Sequence, residues 1–68
     1  MELSARNQLA GMVTHVKLGT IMSEVTVDVG GQEIVSVITR GSVERMGIQP
    51  GDQVTVVIKS TEVMLGKD

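Results

Sequence analysis

Between Met12 and Leu18 the even positions read Met12, Thr14, Val16 and Leu18, while Val13, His15 and Lys17 fall on the other side. Such alternation is the signature of a strand with one face toward a core. From Ile21 to Val29 the odd positions read Ile21, Ser23, Val25, Val27 and Val29, opposite Glu24, Thr26 and Asp28. Gly19-Thr20 separates the two runs, and Gly30-Gly31 supplies the positive φ angles of a tight hairpin after the second. Gln32 to Thr39 predicts a third strand, apolar on both sides through Ile34, Val35, Val37 and Ile38, as at a packed interface or inside a barrel. The period then breaks. Thr39 or Ser42 can cap a helix of about two turns, with Val43 and Met46 on one face and Gly47 at its end. Pro50-Gly51 marks a turn. Gln53 to Lys59 predicts a fourth strand, Thr61 to Leu65 a short fifth, and Gly66-Lys67-Asp68 a frayed tail.

Five short, mostly antiparallel strands with one small helix between the third and fourth predict an all-β domain. The element order is that of a small five-stranded OB-like barrel, closed or partly open. At 68 residues the chain forms one domain, residues 1–68, without internal repeats.

Composition turns this into a question of support. A domain this small removes only about 60% of its unfolded surface from water, so disulfides, metals or oligomers usually assist it. Cysteine is absent, and His15 is the sole histidine. Disulfides, thiolate zinc sites, a cysteine nucleophile and a multi-histidine metal site within one chain are thereby excluded. Aromatic residues are absent too, while 12 Val, 5 Ile and 6 Thr make 23 of 68 residues β-branched. Met12, Met22, Met46 and Met64 fall in the apolar pattern as gap-fillers of a core without rings. Self-association is the support that remains.

A net charge of −2, with no stacking aromatics, argues against a nucleic-acid binder. No apolar run is long enough to span a membrane, and no charged n-region precedes an apolar stretch like that of a signal peptide. The expectation is a soluble, cytoplasmic chain that starts at Met1.

Two polar clusters interrupt the apolar pattern. Ser4-Ala5-Arg6-Asn7-Gln8 precedes the first alternating run, and Lys59-Ser60-Thr61 separates the last two strands. Both offer donors and contain no carboxylate, although Glu2 and Glu62 lie nearby. Brought together, they would suit a small anion, with lysine as a compact charge and hydroxyls giving directional bonds. Polar residues at strand ends are also commonly structural, and composition leaves that alternative open.

The residues themselves point further. Ser4-Ala5-Arg6-Asn7-Gln8-Leu9, Val43-Glu44 and Val57-Ile58-Lys59-Ser60-Thr61-Glu62-Val63-Met64 strongly resemble the molbindins, the small molybdate-binding Mop or molybdenum-pterin-binding proteins. The resemblance runs from Leu3 to Leu65, with its motifs in order. It implies an OB-like barrel that exchanges strands in dimers and assembles as a homohexamer, a trimer of dimers. It also implies intracellular storage or buffering of molybdate, and of tungstate, at sites between subunits. Carried over, the main site uses the Ser4 hydroxyl and backbone N–H groups around Ala5 and Arg6 from one chain. Lys59 and Ser60 come from a neighbour. A second oxyanion site maps loosely to Gly19-Thr20 or to Thr39 and Ser42. No metal cation is implied, and without an aromatic side chain a pterin ring has nothing to stack on.

Molybdate at neutral pH is a fully deprotonated tetrahedral dianion, so a site made of donors alone suits it. Hydrogen phosphate would leave its own O–H without a partner, and sulfate is smaller. An enzyme is disfavoured, since no nucleophile–base set is evident and Glu24, Asp28 and Glu33 form no catalytic pair. His15 beside Lys17 reads as solvated surface, and Arg6 serves either the anion or an ion pair. The alternative from another class is a DNA-binding regulator, or a regulatory or assembly module, built on a swapped β-fold. The acidic balance and the lack of a basic helix or arm weigh against DNA.

Overall fold

The computed structural model describes residues 1–68. Four strands form one antiparallel sheet: β1 (Asn7–Leu18), β2 (Met22–Val29), β3 (Gln32–Thr39) and β4 (Gln53–Ile58), in the order β3-β2-β1-β4. Helix α1 (Arg40–Met46) lies between β3 and β4, in the expected place. The two edge strands do not pair, so the OB-like sheet stays open.

The strand count is four, not five. After β4 the chain tightens into a 3-10 turn over Ser60–Glu62, with the Glu62 N–H donating to the Lys59 carbonyl at 2.8 Å. Thr61 to Leu65 therefore forms no strand. Its residues have the composition of one, but a strand needs a partner ladder, and this chain offers them none. Met64 and Leu65 are 92% and 95% exposed.

Strand β1 begins at Asn7, before the apolar alternation, because pairing with β4 continues out to Asn7 opposite Ile58. Its face assignment also differs from the simple alternation. Val13 opposes Val27, but the next pair is His15 with Thr26, so the register skips at Thr14. This β-bulge turns Val13 and Val16 to the same side. Val13, placed by alternation on the polar side, is 1% exposed and sits in the core with Val25, Val27 and Val43. The Thr14 hydroxyl donates to the Thr26 carbonyl at 3.3 Å and helps satisfy the bulge.

The tight hairpin follows the sequence closely. Gly30 and Gly31 have φ of 58° and 90°, and the Asp28 carboxylate accepts from the Gly31 N–H at 3.1 Å. Helix α1 is capped by Thr39, whose hydroxyl oxygen accepts from the Ser42 N–H, and ends on Gly47 at φ 63°. The helix presses Val43 onto the sheet, while Val16, Val29, Ile38, Ile48, Val54 and Val56 pack around the centre. Gly11 lets β1 run close over β2: a Cβ there would stand 2.6 Å from Val27 Cγ1 and 2.7 Å from the Asp28 carbonyl oxygen.

Six of 68 residues are buried in the single chain. Met12, Met22, Met46 and Met64 are not core gap-fillers within it; each is at least 44% exposed. An apolar groove of about 210 Å³ opens along the core, lined by residues that include Val13, Val27, Ile38, Met46, Ile48 and Val56.

Candidate anion-binding site

The pairing of β1 with β4 decides where the two polar clusters go. Asn7 opens β1 and Ile58 closes β4, and the two residues stand opposite each other. The segment before Asn7 and the segment after Ile58 therefore leave the sheet at the same end. There, Ser4, Ala5, Lys59, Ser60 and Thr61 line one shallow depression of about 350 Å³. A single chain thus brings the two clusters together, where the family resemblance assigns them to neighbouring chains.

Local bonds hold both walls. The Asn7 carboxamide donates from Nδ2 to the Ile58 carbonyl at 3.2 Å, and Gln8 donates from Nε2 to the Ala5 carbonyl at 2.7 Å. The 3-10 turn fixes the direction of Ser60 and Thr61 relative to Lys59. The backbone N–H groups of Ala5 and Arg6 make no hydrogen bond within the chain.

The chemistry of the lining is one-sided. It comprises one ammonium group, three hydroxyls and free backbone N–H groups, with no carboxylate among the five residues. In a chain of net charge −2, that concentration of donors is a local property. It matches an acceptor-only ligand. Thr61 joins Ser4, Ala5, Lys59 and Ser60 in the lining, and its place in the Lys59-Ser60-Thr61 cluster was the sequence signal for it. Arg6 is exposed, is not among the residues that line the depression, and makes no ion pair.

The residues considered for a second site divide. Gly19 borders a separate cleft with Lys17, Leu18, Met22, Ser23, Glu24 and Val37, whereas Thr20, Thr39 and Ser42 do not line it. A Cβ at Gly19 would collide with the Met22 carbonyl oxygen, so the turn itself requires glycine there. Thr39 and Ser42 bond to each other: the Thr39 hydroxyl donates to Ser42 Oγ at 2.8 Å and accepts from the Ser42 N–H at 3.0 Å. Both are engaged in capping α1. The Arg40 N–H reaches the Ile21 carbonyl at 2.8 Å, which brings the helix start beside the Gly19-Thr20 turn without joining the four residues in one cavity.

His15 is exposed on the outer face, with Nδ1 3.2 Å from the Thr14 hydroxyl oxygen. No group of three His, Cys, Asp or Glu side chains is placed to hold a metal ion. No helix is long and apolar enough to cross a membrane.

Fold and site together describe a small OB-like domain with a donor-lined depression at one end of its sheet. The chain belongs to the TOBE-domain family, whose model matches residues 3–65. It is 48% identical over 66 residues to molybdenum-pterin-binding protein 1 of Clostridium pasteurianum, across 96% of this chain and 97% of that one. A molybdate-binding protein from Sporomusa ovata superposes with a TM-score of 0.94 at 39% identity, covering 98% of this chain and 100% of the other. The cytoplasmic molybdate-binding protein ModG, in a form with molybdate bound, gives a TM-score of 0.84 at 41% identity, over 88% of this chain and 43% of ModG. The kinship suggested by the Ser4–Leu9 and Val57–Met64 motifs is the kinship found.

Proposed function

We propose that this chain binds molybdate, and tungstate by the same chemistry, in the depression formed by Ser4, Ala5, Lys59, Ser60 and Thr61, with the Arg6 N–H as a further donor. The carrying observation is the lining itself, which offers hydroxyl, amide and ammonium donors and no carboxylate. A tetrahedral dianion without protons can accept from every one of them. Hydrogen phosphate makes less of them, because its O–H must take one hydroxyl oxygen as acceptor and that hydroxyl then no longer donates to the ligand. Lys59 supplies charge, and the hydroxyls and N–H groups supply direction. The role is binding, with storage or buffering of the oxyanion in the cytoplasm, and not catalysis. The names of the relatives support the ligand.

The binding form is an oligomer. Fourteen large apolar residues are exposed in the single chain while four form its core, a balance that favours association. Val63, Met64 and Leu65 directly follow the Ser60–Glu62 turn and are all exposed. A second copy that covers this tail also covers the depression beside it, so the site lies between subunits even though one chain supplies both clusters. The trimer-of-dimers hexamer is the assembly that the molbindin resemblance implies. Ligand binding then stabilises the assembled state by mass action.

Isothermal titration calorimetry with molybdate, tungstate, sulfate and phosphate tests the reading. Molybdate and tungstate are expected to bind at least tenfold more tightly than sulfate or phosphate at pH 7. Equal affinity for all four, or no heat with any, would contradict it.

A further inference from the structure

Gln8 does not line the depression, yet it holds part of its wall. Its backbone is fixed opposite Val57 by the β1–β4 pairing, and its side chain reaches back to the Ala5 carbonyl at 2.7 Å. The peptide group that joins Ala5 to Arg6 is planar and trans, so the Ala5 carbonyl and the Arg6 N–H point in opposite directions from one rigid plane. Fixing the carbonyl toward Gln8 therefore fixes the Arg6 N–H toward the other side. That N–H has no acceptor in the chain. The same bond engages the carbonyl oxygen of Ala5, an acceptor at the edge of a donor-lined site.

We propose that Gln8 is a positioning and specificity residue for the anion site, an inference that rests on the anion-binding function above. By holding the Ala5–Arg6 peptide plane, it presents the Arg6 N–H to the ligand and withdraws the Ala5 carbonyl from it. A carbonyl free to turn toward the ligand would repel a fully deprotonated dianion. It would also give the O–H of hydrogen phosphate a carbonyl acceptor, leaving the hydroxyls of Ser4, Ser60 and Thr61 free to donate to it. Gln8 thus contributes to the rejection of protonated oxyanions without touching any of them.

The test compares wild type, Gln8→Met and Lys59→Ala as full chains. Calorimetry with molybdate and with phosphate at pH 7 gives the affinities, and thermal unfolding is measured without anion. Methionine nearly preserves the shape of glutamine and removes its donor without adding charge. The expected result for Gln8→Met is molybdate affinity lowered about tenfold, a correspondingly smaller preference over phosphate, and an unchanged anion-free melting temperature. If Gln8→Met keeps wild-type affinity and preference while Lys59→Ala loses binding, the positioning role is overturned and the anion site stands. If Gln8→Met weakens both anions alike and lowers the melting temperature, Gln8 is structural only and the proposal fails. If wild type binds no molybdate, the anion-binding function fails and takes this role with it.

Discussion

Asn7 and Ile58 stand opposite each other at the last rung of the β1–β4 ladder, tied by a 3.2 Å bond from the Asn7 carboxamide to the Ile58 carbonyl. Just beyond this rung lie the residues that line the depression, Ser4 and Ala5 two to three positions before Asn7 and Lys59 to Thr61 one to three positions after Ile58. Two stretches separated by most of the chain become neighbours because one antiparallel pair ends where both begin. The site's geometry is thus inherited from strand register.

Lys59 carries the only full positive charge of the lining. Lys59→Ala is expected to weaken molybdate binding by at least tenfold in calorimetry, with the oligomer retained in size-exclusion chromatography. Unchanged affinity would remove Lys59 from the site.

Gly11→Ala is expected to destabilise the fold. The added methyl would meet Val27 and the Asp28 carbonyl at 2.6 and 2.7 Å, and the crowded atoms include backbone. Overpacking of this kind costs about 1–3 kcal/mol, and each kcal/mol lowers the melting temperature of a domain this size by about 4–8 °C. Differential scanning calorimetry without anion measures it; a melting temperature equal to wild type would show that β1 and β2 can separate without cost.

Thr39→Ala removes the cap that accepts from the Ser42 N–H. The expected loss is about 1 kcal/mol, read by chemical denaturation with an unchanged slope. An undiminished stability would mean that another group caps α1.

Much of the fold is legible along the chain because local chemistry decides it. The Gly30-Gly31 hairpin, the Thr39-to-Gly47 helix and the Pro50-Gly51 turn all rest on residues with particular backbone preferences; Gly51, for instance, has φ 94°. The bulge at Thr14 escapes such a reading. Its position is set by the partner strand, and it reverses the facing of Val13, the most buried residue. The fifth strand fails for a related reason: Thr61 to Leu65 has the composition of a strand but no ladder within its own chain. For the site, the donor clusters themselves were visible in the sequence. Their meeting within one chain depends on pairing through Asn7 and Gln8, polar residues that alternation alone leaves outside the strand.

Saturating the site should also stabilise the protein. Free molybdate at about 100 times its dissociation constant adds about 2.7 kcal/mol per site if only the folded form binds. The melting temperature is expected to rise with molybdate and to rise less in Lys59→Ala. An identical rise in both proteins would place the ligand elsewhere.

The central claim is that anion binding belongs to an assembled form of this chain, at the depression beside Asn7 and Ile58. Native mass spectrometry with and without molybdate tests it most directly, since it reports chain number and bound anions together. The account predicts an oligomer that gains whole molybdate masses in the presence of the anion. A monomer that gains none would contradict it.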